Sequence, residues 1–351
     1  MKDKFLYLAL GDDTIKNIAP SLRMFAMKQG FREILDNEKL IEINGNSKVR
    51  AKKIRKFLTS GDIAKVGYAY IESSNKGMNF VDALLIFYLK LKKVKISVFI
   101  RDFYPLFKNG WEDANWKGKI ANILWFVNIG IYKINAYLAY FPSESSMKLL
   151  KFKRKEILPP GLFLDIPKLP LRKNTIFYAG GLKKPYNLEP VLLAVEKLNE
   201  IINIEFHLFC RKNDLKFIKK WSDKKWLIIE HKNLYDLNFR PHICVISSDN
   251  SYQAIARSVK MLDYIRLGSP IIISDAYENS KFLKEHNIGI IAAPNDAESF
   301  YGELKKYFTD DSLQNQLQEN VQNLQSSKEL KWTTRCEKVL SDLGYLSEGN
   351  L

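Results

Sequence analysis

Lys260 and Asp263 stand three residues apart in R-S-V-K-M-L-D-Y-I-R-L-G-S-P-I-I-I, residues 257–273. The apolar residues Val259, Leu262 and Ile265 recur there at helical spacing, so the two charges share one helix face. A charged pair on a helix that feeds a parallel strand is where α/β proteins hold anionic ligands. The same pair can equally form an i,i+3 ion pair on a solvated helix. Gly268 suits a helix C-terminus, Pro270 stops continuation, and Ile271–Ile273 have the branching that strands favour. The charged helix, with Arg257 just ahead of it, therefore feeds a buried strand.

A second group is Ala179-Gly180-Gly181-Leu182-Lys183-Lys184, between an expected strand and an expected helix. Glycines let backbone N–H groups approach a phosphate, and Lys183 and Lys184 supply countercharge; plain turn chemistry is the alternative. The run is neither the G-x-G-x-x-G fingerprint nor a Walker loop, which removes support for NAD and ATP. Arg101-Asp102 ends a strand in the first half, where Asp102 can act as general base on an acceptor hydroxyl or, with Arg101, cap a loop. Gly11, Asp12, Asp13 and Arg23 flank the end of the first strand, where an acceptor can also be held. Asp13 alternatively caps the next helix.

These residues need strands to end beside them. Strands are expected at 4–10, 41–43, 66–71 and 95–100, with helices at 19–30, 48–58 and 80–90 between them. A segment with Trp111, Trp116, Trp125, Tyr132, Tyr137 and Tyr140 follows; it reads either as a core helix or as a helix in a membrane interface. A strand at 138–142 and a helix opening at Ser143 lead into the linker Ile157-Leu158-Pro159-Pro160-Gly161. The second half alternates again, with strands at 175–179, 204–210, 227–230, 242–247, 271–273 and 289–292. Helices are expected at 188–200, 215–221, 279–285, 297–308, 312–325 and 333–343. Two α/β halves of similar size predict two doubly wound domains with a cleft, ligands lying at the strands' C-terminal ends. The boundaries read as 1–165, 166–328 and a helical tail, 329–351, packing back on the first domain.

Composition narrows the class. Hydrophobic residues at 46% and aromatics at 13% exclude disorder. Cys210, Cys244 and Cys336 are too scattered for a disulfide framework, and four histidines show no metal-ligand spacing, so no metal is expected. Neither a signal peptide nor a clean membrane span is read. Of the net charge of +16, nearly all lies in residues 1–170, where 30 Lys and Arg face 16 Asp and Glu. The basic run of Lys48, Arg50, Lys52, Lys53, Arg55 and Lys56 dominates it. Such asymmetry points to a nucleic acid, an anionic membrane or a phosphorylated substrate, or is plain solubility charge with lysine-rich codon bias; signs of an RNA- or DNA-reading element are missing.

The order of parts resembles the GT-B glycosyltransferases, especially bacterial enzymes that assemble surface polysaccharides: an α/β domain, I-L-P-P-G, strand-G-G-L-K-K, a polar loop at 248–251, S-V-K-M-L-D-Y-x-x-L-G-S-P-I-I-I, and a helical tail. The resemblance implies two Rossmann-like domains, the first acceptor-binding and the second binding a nucleotide-diphosphate sugar, UDP foremost, without metal or cofactor. It implies Lys260 at the donor diphosphate, Asp263 at ribose or sugar hydroxyls, Gly180 and Gly181 beside the donor, Lys183 or Lys184 as phosphate ligands, and Asp102 facing the acceptor. The large retaining group has two glutamates separated by seven residues; here Asp263 stands at the second position and Ile255 at the first. The histidine usual in the first domain gives way to Arg101-Asp102. A retaining enzyme and an inverting one with Asp102 as base, similar to the glucuronosyltransferases of exopolysaccharide assembly, both remain open. The expected setting is the cytoplasmic face of a membrane, with a glycan or polyprenyl-diphosphate-linked acceptor. A catalytically inactive GT-B scaffold and a basic nucleic-acid-binding protein are the alternatives.

Overall fold

The computed structural model describes residues 2–12, 19–73, 78–112, 114–162, 166–183, 186–248, 255 and 257–346. In chain order the first elements are β1 (Lys4–Ala9), α1 (Ala19–Ile34), β2 (Leu40–Ile43), α2 (Ser47–Thr59), β3 (Val66–Glu72), α3 (Phe80–Leu91) and β4 (Lys95–Phe99). Then come α4 (Asn109–Glu112), α5 (Trp116–Asn135), β5 (Leu138–Phe141), α6 (Glu144–Lys148) and β6 (Lys155–Ile157). The second series is β7 (Leu171–Ala179), α7 (Glu189–Leu198), β8 (Glu205–Phe209), β9 (Leu227–Glu230), β10 (Arg240–Ile246), α8 (Val259–Leu267) and β11 (Ile271–Ser274). It closes with α9 (Tyr277–His286), β12 (Gly289–Ala292), α10 (Ala297–Thr309), α11 (Asp311–Gln325) and α12 (Trp332–Leu343).

Two units result: Met1–Gly161 with Lys331–Leu351, and Leu162–Leu330. Each holds a six-stranded parallel sheet, ordered β2-β1-β3-β4-β5-β6 in the first and β12-β11-β10-β7-β8-β9 in the second. The strand order reverses between β1 and β3 in one sheet and between β7 and β10 in the other. In open parallel sheets these reversals are where ligands bind, beyond the strands' carboxyl ends.

In the first unit, right-handed crossovers put α2, α3 and α5 on one face and α1 on the other, where α12 packs against it. Arg50 is not part of the basic run's open face. It is buried and grips Asp82 through Nε–Oδ1 at 2.7 Å and Nη2–Oδ2 at 2.6 Å. Asp82 also closes a capping box with Asn79, so one carboxylate fixes the start of α3 and ties it to α2. Replacing Arg50 with Met strands that carboxylate in the interior and should cost about 3–5 kcal/mol. The check is the urea unfolding midpoint, which must fall; an unchanged midpoint contradicts the role.

In the second unit the strands alternate between two cores. Ile176 and Tyr178 face the core shared with α7 and α10, while Phe177 faces the one shared with α8, α9 and α11. The helix expected at 215–221 is instead two 3₁₀ turns, Lys212–Phe217 and Lys219–Trp221. Ile218, at φ −125°, separates them. The cysteines are buried and unpaired.

Candidate active site

Tyr178 is the fourth buried residue in a row near the end of β7, and its hydroxyl reaches past the strand to the glycine turn. It donates to the Gly181 carbonyl at 2.6 Å and accepts from Lys260 Nζ at 2.7 Å. The ammonium also lies over two rings, 4.4 Å from the centre of Tyr178 and 3.6 Å from that of Tyr186. Gly180 has φ +143°, and a methyl group there would fall 2.5 Å from Lys260 Nζ. The backbone conformation therefore favours glycine at 180, and the space beside it is taken by the end of the lysine. Two stretches 80 residues apart in sequence, 180–181 and 260, meet through Tyr178.

Lys260 and Asp263 lie on one face of α8, but among the described residues they form no ion pair within 4.0 Å, so the surface-pair alternative does not apply. Burial pulls the Lys260 ammonium down to about 7, against the favourable influence of Asp263. Burial likewise pushes the Asp263 carboxyl up to about 6, opposed by Arg266 and Lys260. Asp263 has no hydrogen-bond partner among the described residues. A lysine and a carboxylate, both made costly to charge and neither neutralising the other, are disposed to receive a ligand that does so.

The start of α8 adds donors. Ser258 provides no side-chain cap, and its own N–H goes to Asn279 Oδ1 at 2.8 Å. The next backbone N–H groups open the helix at the end where anions are favoured. Arg257 lies there with its guanidinium 4.5 Å from the Phe282 ring centre and its Nε buried without a hydrogen-bond partner. Burial lowers its pKa, against Glu278, Glu285 and Glu329. Lys183 is exposed, whereas Lys184 lies outside the described residues, as do residues 249–251 of the polar loop. Ile255 occupies a half-buried turn just before the helix.

The first unit places its candidates at the ends of β1, β3 and β4. Asp102, three residues beyond β4, has φ +61°, a left-handed conformation that Asp tolerates better than most residues. Its Oδ2 is 3.5 Å from Arg101 Nε, and both atoms are buried without a hydrogen bond. Burial raises the carboxyl's pKa, opposed by Arg101. The side chain keeps 26% exposure, so a hydroxyl can reach it. The Arg101 carbonyl is held by Trp125 Nε1 at 3.3 Å. Gly11 follows β1 closely under Met24, Asp12 is half-buried, and Asp13 lies outside the described residues.

Arg23, expected at an acceptor, is buried instead. Its Nε pairs with Glu72 Oε1 at 3.0 Å, and its guanidinium lies 3.5 Å from the Phe99 ring centre. Tyr70 donates to the same Glu72 oxygen at 2.6 Å. Arg23 therefore serves the interior of the unit and is not carried forward as an acceptor ligand. Sequence reading missed Glu72, Tyr178 and Tyr186. The signal for the two tyrosines was proximity to the glycine turn; nothing in the sequence paired Glu72 with Arg23, 49 residues away.

Among the described residues no group of three or more His, Cys, Asp or Glu is placed to hold a metal ion. Of the histidines, His207 is buried beside Glu205 and His242 accepts from the Asn174 N–H, both within the second unit's framework.

Residues 164–324 match the family described as Glycosyl transferases group 1. No curated protein sequence matches the chain. Among solved structures, HepE of Anabaena in complex with UDP is similar at TM-score 0.65 and 10% identity, covering 98% of this chain and 100% of that one. Sucrose-phosphate synthase from Thermosynechococcus elongatus follows at 0.62 and 10%, covering 96% and 98%. WaaG, a glycosyltransferase involved in lipopolysaccharide biosynthesis, is similar at 0.60 and 10%, covering 97% and 99%. At such identities the likenesses establish the fold, which is GT-B: two Rossmann-like units with parallel sheets. Residues 164–324, nearly all of the second unit, are thus similar to the group 1 glycosyl transferases, which supports a glycosyltransferase.

Proposed function

We propose that the protein moves a sugar from a nucleotide-diphosphate donor, a UDP-sugar first, to a glycan or polyprenyl-diphosphate-linked acceptor in the assembly of a surface polysaccharide or glycoconjugate. The observation that carries the reading is Lys260. Its ammonium is held by Tyr178 and Tyr186 against Gly180, beside the uncapped start of α8 and at the point where the second sheet reverses its strand order. The bound UDP of HepE adds support from a chain of the same fold.

In this reading the donor diphosphate lies against Lys260, Arg257 and the first N–H groups of α8, with Lys183 at its edge. Gly180 and Gly181 allow its close approach, and Asp263 accepts hydrogen bonds from ribose or sugar hydroxyls. As the bond from the anomeric carbon to the diphosphate oxygen breaks, negative charge grows on the leaving group. Lys260 and the helix start stabilise that charge, so neither a metal nor a cofactor is needed. Asp102, whose buried carboxyl holds a proton more readily than an ordinary one, takes the proton of the attacking hydroxyl; Arg101, Gly11 and Asp12 border the acceptor. The enzyme works in the cytoplasm, peripheral on the inner face of the membrane; no described helix is long and apolar enough to cross it.

A donor-binding scaffold without transferase activity is the second reading, favoured by Ile255 where the retaining group has its first glutamate. A thermal-shift panel of UDP-, GDP- and dTDP-sugars, followed by mass spectrometry of the products, separates the two. Stabilisation by one nucleotide series with a glycosylated product supports the enzyme, since a ligand bound to the native state raises apparent stability. Stabilisation with no product from any acceptor supports the scaffold, and no stabilisation by any donor contradicts both.

A further inference from the structure

α5 is apolar on its outer face as well as on its inner one, where Trp125, Ile129 and Tyr132 are buried. Its buried side includes Asn128 and Asn135, while Trp116, Ile120, Ile123, Val127 and Ile134 face solvent at helical spacing. Trp116 is 67% exposed and Ile134 68%. Of the Trp and Tyr residues in this segment, Trp125, Tyr132 and Tyr140 are buried, whereas Trp116 belongs to the exposed face. α3, packed against α5, repeats the pattern. Phe80, Leu84, Phe87 and Leu91, at i, i+4, i+7 and i+11, form an exposed stripe, with Phe80 at 76% and Leu91 at 79%. Both helices lie on the same face of the sheet, so the stripes are neighbours and form one apolar patch larger than scattered surface hydrophobes explain.

Cations border that patch. Lys90, Lys92, Lys117, Lys119 and Lys133 are exposed on or beside the two helices. α2, tied to α3 by Arg50 and Asp82, continues the layer with exposed Lys48, Lys52, Lys53, Arg55 and Lys56. We infer that the α2–α3–α5 face docks on an anionic lipid bilayer, the apolar stripes of α3 and α5 entering the headgroup boundary and the lysines and Arg55 meeting lipid phosphates. Apolar burial and attraction to anionic lipid reinforce one another in such a surface. A second copy of the chain fits poorly, because a two-fold contact sets each basic border against itself. The inference deepens the proposed membrane setting but does not depend on sugar transfer, since lipid binding needs neither donor nor acceptor.

The test is co-sedimentation of the full chain with vesicles of phosphatidylcholine alone or with a third of the lipid as phosphatidylglycerol. The protein should partition onto the anionic vesicles and leave them as salt rises. Phe80→Glu with Leu91→Glu, both on largely exposed positions, should weaken partitioning by about tenfold or more, with the unfolding midpoint and donor-induced stabilisation unchanged. Equal binding to both vesicle types would overturn the inference, as would wild-type binding by the double variant. A dimer in sedimentation velocity that the same substitutions dissolve would overturn it in favour of self-association. Failure of donor binding in the thermal-shift panel leaves vesicle binding as it was, so the two proposals fail separately.

Discussion

Replacing Lys260 with Met will lower kcat/KM for the donor by about 10²–10³-fold, the loss seen when a fixed donor to a developing negative charge is removed. The methionine fills much of the same space against Tyr178 and Tyr186 and leaves the glycine turn its room, so the unfolding midpoint should stay near the wild-type value. The wild-type pH profile supplies a second signature. Lys260 binds a diphosphate best when protonated, which in the free protein requires a pH below about 7. Asp263 accepts hydroxyl hydrogen bonds best when ionised, which requires a pH above about 6. Hence kcat/KM, which reports the free enzyme, should form a narrow bell between those two limbs. Lys260→Met should erase the alkaline limb and keep the acid one. A Lys260→Met profile that retains both limbs would detach the lysine from the donor.

Asp102→Asn will lower kcat by about 10²–10⁴-fold, the range for a lost general base, while donor-induced thermal stabilisation persists. Asn has nearly the same shape and tolerates the left-handed backbone at this position, so the strand end should keep its course. What it lacks is a basic oxygen for the acceptor's proton. The carboxylate has no hydrogen bond to lose and only the Arg101 charge nearby, which leaves proton acceptance as the property removed. Rate measurements at saturating donor and acceptor, beside a melting curve with donor, read the two effects apart. An unchanged kcat would return Asp102 to the loop-capping role.

The fold was legible because its signals are local. Apolar periodicity through Val259, Leu262 and Ile265, the Gly268 stop and the β-branched run after Pro270 each report on a few adjacent residues, and α8, its αL cap and β11 follow them. Where two helical geometries satisfy the same local pattern, the reading failed. Ile218 and Trp221, three apart and both buried, suit a 3₁₀ turn as well as an α-helix, and the segment is too short for α-helix cooperativity to decide. α5 was left open between core and interface for a different reason. With apolar residues all round, periodicity does not say which side is buried, and only packing showed Asn128 inside and Trp116 outside.

The site was half legible. Lys260, Asp263 and the glycine turn announce themselves by type and spacing, but the contact that joins Lys260 to the turn runs through Tyr178, 82 residues from Lys260. Burial also inverted two readings of charge. Arg50 and Arg23 looked like members of a basic, ligand-facing surface, yet each is paired with an acid inside the first unit, Asp82 and Glu72. Sequence counts charges; it does not show which have partners.

Titration calorimetry of UDP and a UDP-sugar into the wild type at pH 8, in buffers of different ionisation enthalpy, tests the donor site most directly. Lys260, largely neutral there in the free protein, should take up a proton as the diphosphate binds, so the observed heat should vary with the buffer. Lys260→Met should lose that variation together with most of the affinity. Binding of equal strength in wild type and variant, with no proton uptake in either, would contradict the account.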